Sequence, residues 1–306
     1  MVFFQIYILK IIQYFKMKKL RIAICFSGQL RTWYNCTNGW LSLIEKISTT
    51  LNAEVDIFCH TWDYNGNPQR IRSGIIEHNR INNDNIDLGN FKISEEEIEN
   101  FKKIMNPISF IIEGEESNIN KENETFKKFE RINQNGKPII HWSSAQYYSL
   151  MMSSFLKKKY EIENGFKYDI CFKMRYDLFF DNHQINYFIS QSEDLNIPKY
   201  NTINSCHCSH LKIGDIFWYS DSLTFDRVTD FYRWIPTFSD RCFPNRKYIL
   251  PENVLFFYIK MLKININPLK VDPKIFRFDN LLDVKKKLGW LVKLENYEEI
   301  QNRSLL

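Results

Sequence analysis

The sequence predicts an α/β protein with a mostly parallel central sheet and helices on both faces of that sheet. One reason is the segment RIAICFS at 21–27, whose continuous apolar run is typical of a strand buried on both faces. A second reason is that strand-like and helix-like segments alternate along the chain, as they do when helices connect parallel strands. With 306 residues, 44% of them hydrophobic and 16% aromatic, the chain can bury this sheet in a single domain.

The first half of the chain reads as strand, helix, strand and loop. After the first strand, apolar residues recur at helical spacing, at Trp40, Leu43, Ile44 and Ile47. The segment AEVDIFCHTWD at 53–63 predicts a second strand that ends in polar residues. Residues 64–90 are rich in Asn, Gly and Arg, and this composition predicts a long surface loop.

The same order continues further along the chain. Ser94, with a glutamate three residues later, is a capping-box signature and predicts a helix start, and ISFIIEG at 108–114 predicts a third strand. An amphipathic helix is predicted from Ser143 or Ser144 to the stop at Gly165. It leads directly into the strand YDICFKM, so the βαβ pattern extends to this point.

The sequence predicts that the chain consists of three segments. We expect residues 17–270 to form the α/β domain, because Met17 and two lysines stand directly before the first strand. Residues 1–16 are interpreted as an upstream extension, since their apolar run is interrupted by polar residues and is short for a membrane span. The alternative for that segment is an amphipathic helix at a membrane surface. Residues 271–306 are expected to be a C-terminal tail or helical segment.

The charge of the chain limits its partners. There are 41 basic and 36 acidic residues, which gives a net charge of +5. This excess is too small to indicate nucleic acid, whose binding proteins concentrate positive charge on one face. It is compatible with an anionic substrate or with peripheral association at an anionic membrane surface. No Gly-Lys-Ser/Thr sequence is present, which excludes a P-loop kinase.

The cysteines indicate a reducing compartment, and we therefore expect a cytoplasmic protein. The number is odd, seven, and three of them, Cys25, Cys59 and Cys171, stand inside strand-like runs as small buried hydrophobes. The stretch CHCSH at 206–210 raises the question of zinc. Its residues are nearly adjacent and no second ligand pair is visible, so a polar loop is the preferred interpretation.

Polar residues follow the predicted strands at their carboxyl ends, which is where ligands bind in open α/β sheets. Three unrelated segments therefore converge on one edge and predict an active site. The residues after the first strand are Ser27, Gly28, Gln29 and Arg31; those after the second include His60 and Thr61; those after the fourth are Arg175 and Asp177.

Each of these residues also has an interpretation without a function. Gly28 can serve a tight turn, and Arg31 can be a solvated residue at a helix start. His60 can be a buried histidine whose hydrogen bonds are satisfied, and Asp177 can cap a turn. The prediction of a site therefore depends on the convergence of the segments and not on any one residue.

The stretch KMRYD at 173–177 carries a family resemblance. It resembles the R-x-R-x-D motif that ends a strand in WavE-like lipopolysaccharide-synthesis proteins, a group of GT-A-type glycosyltransferases. FSGQLRTW, DIFCHTWD and IGDIFWYSDS also fit that group, so the resemblance extends over roughly residues 20–265. It implies a GT-A-like fold and a hexosyltransferase that moves sugar from a nucleotide-sugar donor to a glycan or glycolipid acceptor in surface-polysaccharide synthesis.

The resemblance also implies a divalent cation, Mn²⁺ or Mg²⁺, held by an Asp-x-Asp motif between the donor phosphates. Here Arg175 takes the first position and only Asp177 remains. Two alternatives stay open. In one, Asp177 is the metal ligand and Arg175 contacts phosphate or ribose. In the other, Arg175 replaces the metal, because either cation can stabilise the charge on the leaving diphosphate. The other residues expected to bind the donor are Ser27, Gly28, Gln29, Arg31, His60 and Thr61.

An inverting transfer needs a general base for the acceptor hydroxyl. The candidates are Asp215, and Glu252 in the first turn of a predicted helix, where a glutamate is also an ordinary helix-start residue. Trp218 and Tyr219 are candidates for stacking on a sugar ring or for the core. The rival functions are a sulfotransferase-like group transfer and a non-catalytic carbohydrate-binding protein on the same fold.

Overall fold

The computed structural model describes the segments that build the sheet and its helices. These are residues 19–30, 33–63, 92–114, 143–190, 198–206, 208, 213–214, 216–235, 251–271 and 273–275. The predicted N-terminal extension, the predicted loop at 64–90 and the C-terminal segment after Ile275 lie outside the described residues.

Seven strands form the central sheet and two short strands pair beside it. The sheet order is β3-β2-β1-β4-β7-β6-β8, and β5 pairs with β9. All neighbours in the central sheet are parallel except β7, which is antiparallel to both β4 and β6. The strands are β1 Leu20–Gln29, β2 Ala53–Trp62, β3 Ser109–Glu113, β4 Ile170–Arg175, β5 Leu178–Phe179, β6 Thr202–Ser205, β7 Trp218–Ser220, β8 Asn265–Pro268 and β9 Lys274–Ile275.

Helices cover both faces of this sheet, so the predicted fold class is confirmed. The helices are α1 Trp33–Thr50, α2 Glu95–Met105, α3 Ser143–Asn164, α4 Asn182–Ser190, α5 Ser222–Thr229 and α6 Pro251–Met261. Alternate residues of β1 point to opposite faces: Ile24 packs in a core cluster with α1, α2 and α4, and Cys25 packs in another with α3, α5 and α6. Both clusters are fully buried at β1, which explains its continuous apolar run.

The helix termini that the sequence predicts are also observed. Ser94 is the N-cap of α2, and its hydroxyl accepts a hydrogen bond from the Glu97 backbone N–H at 3.1 Å. The Glu97 carboxylate accepts a hydrogen bond from Trp33 Nε1 at 3.2 Å and so ties α2 to α1. The helix α3 begins at Ser143 and is followed by Gly165 with φ +66°, as the sequence predicted.

The first helix holds the segment that follows β4. Trp40 Nε1 donates a hydrogen bond to the Leu178 carbonyl at 2.6 Å. A Cβ on Gly39 would lie 2.6 Å from the Phe180 carbonyl oxygen, so only glycine allows α1 to approach this backbone so closely. The turn between β4 and β5, which contains Asp177, is therefore fixed from one side by α1.

Trp218 and Tyr219 belong to the core and do not stack on a ligand. Trp218 is fully buried and packs on Phe225, with ring centroids 4.9 Å apart. Tyr219 is buried on the opposite face of the sheet, against Phe172. Adjacent residues of a strand point to opposite faces, and both faces of this sheet are covered, so neither ring reaches a ligand.

The order of the strands creates a crevice between β1 and β4. From β1 the chain proceeds to β2 and β3 on one side of the sheet, and β4 then pairs with β1 on its other side. Ligands of open α/β sheets bind at such a reversal of strand order, outside the carboxyl ends of the strands.

The helix α3 runs antiparallel to β1 and β4, because Ser149 contacts Gly28 at the end of β1 and Glu161 accepts from the Tyr168 N–H before β4. Its N-terminus therefore lies at the crevice.

The packing of the domain continues slightly further than the predicted boundary at residue 270. Val271 is buried in the core, and β9 pairs with β5. None of the helices in the described ranges combines the length and the hydropathy that a bilayer crossing requires.

Candidate functional site

The register of the sheet brings three predicted segments to one edge. Ser27 is the partner of His60 on β2 and of Arg175 on β4, and Gly28 is the partner of Thr61. Asp177 lies two residues after Arg175, in the turn that follows β4. The residues that the sequence placed at strand ends are thus neighbours in space, although up to about 150 residues separate them in the chain.

The backbone conformation at position 28 requires a glycine. Its φ is +112°, a value that residues with a side chain rarely adopt, although a Cβ there would meet no atom within 4 Å. In this conformation the Gly28 N–H donates a hydrogen bond to Ser149 Oγ at 2.7 Å. The end of β1 is therefore tied to α3.

Ser149 joins three elements through one hydroxyl group. Besides accepting from Gly28, Ser149 Oγ donates to the His60 carbonyl oxygen at 3.0 Å and lies 2.9 Å from His60 Nδ1. A serine hydroxyl has one hydrogen, and the carbonyl oxygen can only accept it. With that hydrogen donated to the carbonyl, His60 Nδ1–H is the donor to Ser149 Oγ.

His60 is fully buried and packs beneath the carboxyl ends of the strands. Its ring packs against Trp62 and Tyr148, with centroids 5.2 and 5.6 Å away. Its Nε2 lies 3.8 Å from Glu113 Oε1, which also accepts a hydrogen bond from the Tyr148 hydroxyl at 3.0 Å. His60 thus helps to join β1, β2 and α3. That His60 and the equally buried Thr61 contact a donor stays a prediction.

Arg175 and Asp177 form a bidentate ion pair at the end of β4. Arg175 Nε donates to Asp177 Oδ1 at 2.8 Å, and Nη2 donates to Oδ2 at 2.6 Å. Arg175 Nη1 also donates to Gln146 Oε1 on α3 at 3.1 Å. The Arg175 side chain is 10% exposed and that of Asp177 only 2%, so the carboxylate is buried beneath the guanidinium.

These residues do not fit a divalent cation well. Mg²⁺ and Mn²⁺ prefer several oxygen ligands, and both oxygens of Asp177 already accept hydrogen bonds from Arg175. The position where a second carboxylate would stand is occupied by a cation. Within the described ranges, no group of three or more His, Cys, Asp or Glu side chains could hold a metal ion. The metal-ligand role of Asp177 stays a prediction.

Ser27 contributes a buried hydroxyl group to this edge of the sheet. Its hydroxyl is fully buried and has no hydrogen-bond partner among the residues that the structure describes. As the register partner of Arg175, it points to the same face of the sheet. We refer to Ser27, Gly28, Gln146, Ser149, Arg175 and Asp177 as the carboxyl-edge site.

Two members of this site, Gln146 and Ser149, were not predicted from the sequence. Gln146 is partly buried and stands three residues before Ser149 on α3, and Ser149 and Ser153 are both fully buried. Polar residues that recur at helical spacing on a helix predicted to pack on the sheet are the signal that would have indicated them. Of the predicted residues, Gln29 ends β1 and is half-buried.

The remaining predicted residues are described in part or not at all. Arg31 and Asp215 lie outside the described residues. Glu252 is in the first turn of α6, as predicted, and its side chain is likewise outside them.

Cys206, from the stretch CHCSH, is fully buried, and burial raises the pKa of its thiol to about 12. The thiol donates to the Phe217 carbonyl at 3.2 Å and acts as a core residue. The two histidines of the stretch lie outside the described residues.

Comparisons with known proteins add little to this description. No protein-family model matches the chain, and no curated protein matches it. Among solved structures, the chain is similar to the apo form of mouse xyloside xylosyltransferase 1, at 9% sequence identity and a TM-score of 0.32, over 82% of this chain and 84% of that chain. A likeness at this TM-score carries no argument about fold or activity. The resemblance to the WavE-like group therefore stays a prediction.

Proposed function

We propose that the protein is a GT-A-type glycosyltransferase that moves a hexose from a nucleotide-sugar donor to a glycan or glycolipid acceptor. The observation that carries the proposal is the guanidinium of Arg175, held in a fixed orientation at the crevice between β1 and β4. This is the edge at which open α/β sheets bind nucleotides. The sequence resemblance at 173–177 supports the same function.

The chemistry of sugar transfer explains why a fixed cation is needed there. When the glycosidic bond of a nucleotide sugar breaks, negative charge develops on the departing diphosphate. A cation that is already oriented stabilises this charge without rearrangement, and arginine suits phosphate because its N–H groups can donate in pairs. The N-terminus of α3 lies at the same edge and adds a partial positive charge.

The general base and the acceptor belong to the same proposal. Asp215 and Glu252 are the two candidates for the base in an inverting transfer, and replacing each by its amide tests them separately. The acceptor is proposed to be a surface polysaccharide or lipopolysaccharide precursor, and the enzyme to work in the cytoplasm at the membrane surface.

A donor screen tests the proposal. The purified full chain is incubated with UDP- and GDP-sugars, and nucleotide release and melting temperature are measured. A donor at about 100 times its dissociation constant is expected to stabilise the fold by roughly 2.7 kcal/mol. Failure of every donor both to raise the melting temperature and to release nucleotide would contradict the proposal.

A matched pair of variants separates the site from general effects of arginine loss. Arg175→Gln removes the buried cation and is expected to lower turnover about a hundredfold, in line with the loss of a charge-stabilising group. Arg233→Gln is the control, because Arg233 forms an exposed pair with Asp230 at 3.3 Å, with its side chain 67% exposed. Turnover is expected to be unchanged in the control.

A second candidate is a non-catalytic protein that binds nucleotides or carbohydrates on the same fold. The engagement of Asp177 by Arg175 favours it, because this carboxylate is not presented to a ligand. Binding of a donor without release of nucleotide, with or without acceptor glycans, would support this candidate over the enzyme.

A further inference from the structure

We propose that the donor diphosphate binds without a divalent metal, through the Arg175 guanidinium, and that Asp177 and Gln146 are positioning residues that hold this guanidinium. The inference rests on the proposed function, since it concerns how the same site recognises the donor. It assigns Asp177 a role other than metal ligation and gives Gln146 a role in the site.

The first argument is the way in which the guanidinium is held. Three N–H groups of Arg175 donate to acceptors on two different elements: two to Asp177 in the turn after β4, and one to Gln146 on α3. Contacts from two directions fix both the plane and the position of the group. An arginine fixed in this way loses little conformational entropy when a ligand binds, so it is pre-organised for an anion.

The second argument is that the Asp177 carboxylate is already fully used. Its two oxygens accept at 2.8 and 2.6 Å, and its side chain is 2% exposed. A divalent cation at these oxygens would have to displace the guanidinium or lie beside it, where like charges repel each other. The carboxylate instead balances the charge of Arg175 while no anion is bound, which lets a cation remain at a buried position.

The third argument comes from Ser27. Its buried hydroxyl has no hydrogen-bond partner among the described residues, and it points to the same face as Arg175, its register partner. A buried hydroxyl without a partner costs free energy, and an anionic oxygen would satisfy it. Ser27 and the N-terminus of α3 therefore lie beside Arg175 as further groups suited to a phosphate.

The test measures how the affinity for a diphosphate depends on metal. Binding of UDP, GDP and inorganic pyrophosphate to the full chain is measured by calorimetry, in excess EDTA and in excess Mn²⁺. For at least one probe we expect dissociation constants that agree within about twofold in the two buffers. Because this comparison uses the wild-type protein, it does not depend on any variant folding.

Variants then test the positioning roles. Gln146→Met removes one acceptor at similar volume and is expected to weaken binding about threefold to tenfold in both buffers, and Asp177→Asn about tenfold or more. The arginine Nε–H signal in ¹⁵N NMR, assigned by its absence in Arg175→Lys, is the readout of orientation. We expect slow hydrogen exchange at this group in the wild type and fast exchange in Asp177→Asn, a change that a purely structural role would not produce in a folded variant.

The outcomes distinguish the inference from the proposed function. Binding that needs Mn²⁺ and is lost in EDTA would overturn the inference and leave the proposed glycosyltransferase intact. Absence of binding by all probes in both buffers would overturn both. Binding in EDTA with an unchanged Nε–H signal in Asp177→Asn would overturn the positioning role of that residue.

Discussion

Two buried clusters of charge lie at opposite ends of α3, and they differ in what surrounds them. At one end is the carboxyl-edge site, where Arg175 pairs with Asp177. At the other is what we call the amino-edge network, formed by Lys157, Glu161, Ser222 and Asp226. Lys157 Nζ lies 2.8 Å from Asp226 Oδ1, 3.3 Å from Glu161 Oε2 and 2.6 Å from Ser222 Oγ, and the side chains of Lys157 and Glu161 are fully buried.

The difference between them is informative because the amino-edge network contains more buried charge, yet its surroundings do not suggest a ligand. Glu161 Oε1 accepts from Ser222 and from the backbone N–H of Tyr168, so protein groups surround this network. It also lies beside the start of β4, whereas ligands of such sheets bind beyond the strand ends. Buried charge by itself therefore indicates packing, and a site is indicated only when strand ends converge and a buried polar group lacks a partner.

The largest loss of stability is expected from a substitution that breaks the amino-edge network. Lys157→Met removes the cation beside Asp226 and leaves Glu161 paired with the exposed Lys167 at 2.7 Å. Removing one partner of a buried ion pair costs about 3–5 kcal/mol. Urea denaturation measures this loss, and Lys158→Met, on the adjacent exposed residue, is the matched control. Diphosphate binding by the folded fraction is expected to be unchanged. A loss equal to that of the control would mean that the network contributes little to stability.

A smaller loss of stability is expected at the carboxyl edge. Asp177→Asn removes the charge that faces Arg175 but keeps one acceptor oxygen, and hydrogen bonds to charged groups contribute roughly 1.5–3 kcal/mol. Unlike Lys157→Met, this variant is expected to weaken diphosphate binding as well. Measuring urea midpoint and affinity on one preparation checks both; a variant that binds as tightly as the wild type would remove the distinction between the clusters.

The loss of stability is expected to be smaller again for Ser149→Ala. The change removes the acceptor of the Gly28 N–H and the group that orients His60, and a net hydrogen bond contributes about 1 kcal/mol. We expect a loss of about 1–2 kcal/mol in urea, with a modest weakening of diphosphate binding. Ser48→Ala is the control, since that hydroxyl donates to the Ala53 carbonyl at 2.7 Å, away from the site.

The smallest loss of stability is expected from lowering the pH, which protonates Glu161. Burial acts to raise the pKa of Glu161, but the Lys157 ammonium and several hydrogen bonds outweigh it and lower this pKa below its usual value. A lowered pKa stabilises the fold at pH values above the unfolded-state pKa, and this contribution disappears as the pH falls through the folded-state pKa. Protonation leaves the carboxyl group in place to hydrogen-bond, so the loss is smaller than for the substitutions.

Urea midpoints between neutral and acidic pH check this expectation. Stability of the wild type is expected to fall in acid more steeply than that of Glu161→Gln, which cannot titrate at this position. Parallel curves for the two proteins would show that the carboxylate of Glu161 does not contribute to the acid dependence.

Much of the fold follows from local patterns in the sequence. The apolar run at 21–27 predicts a strand covered on both faces, because only such a strand has no polar face to present to water. Ser94 and Gly165 predict helix ends, since one supplies a side-chain acceptor and the other tolerates a positive φ. Likewise the convergence of strand ends follows from parallel topology, which the alternation of helices and strands predicts.

Only the tertiary structure decided what those strand ends do. Whether Asp177 faces a ligand or Arg175 depends on how α1 and α3 hold the turn after β4, and Gln146 and Ser149 became part of the site because α3 passes over strands far away in the sequence. Trp218 and Tyr219 are core residues because helices cover both faces at β7. Local patterns set the conformation of each segment, but the partner of a side chain is set by contacts between segments that no local pattern encodes.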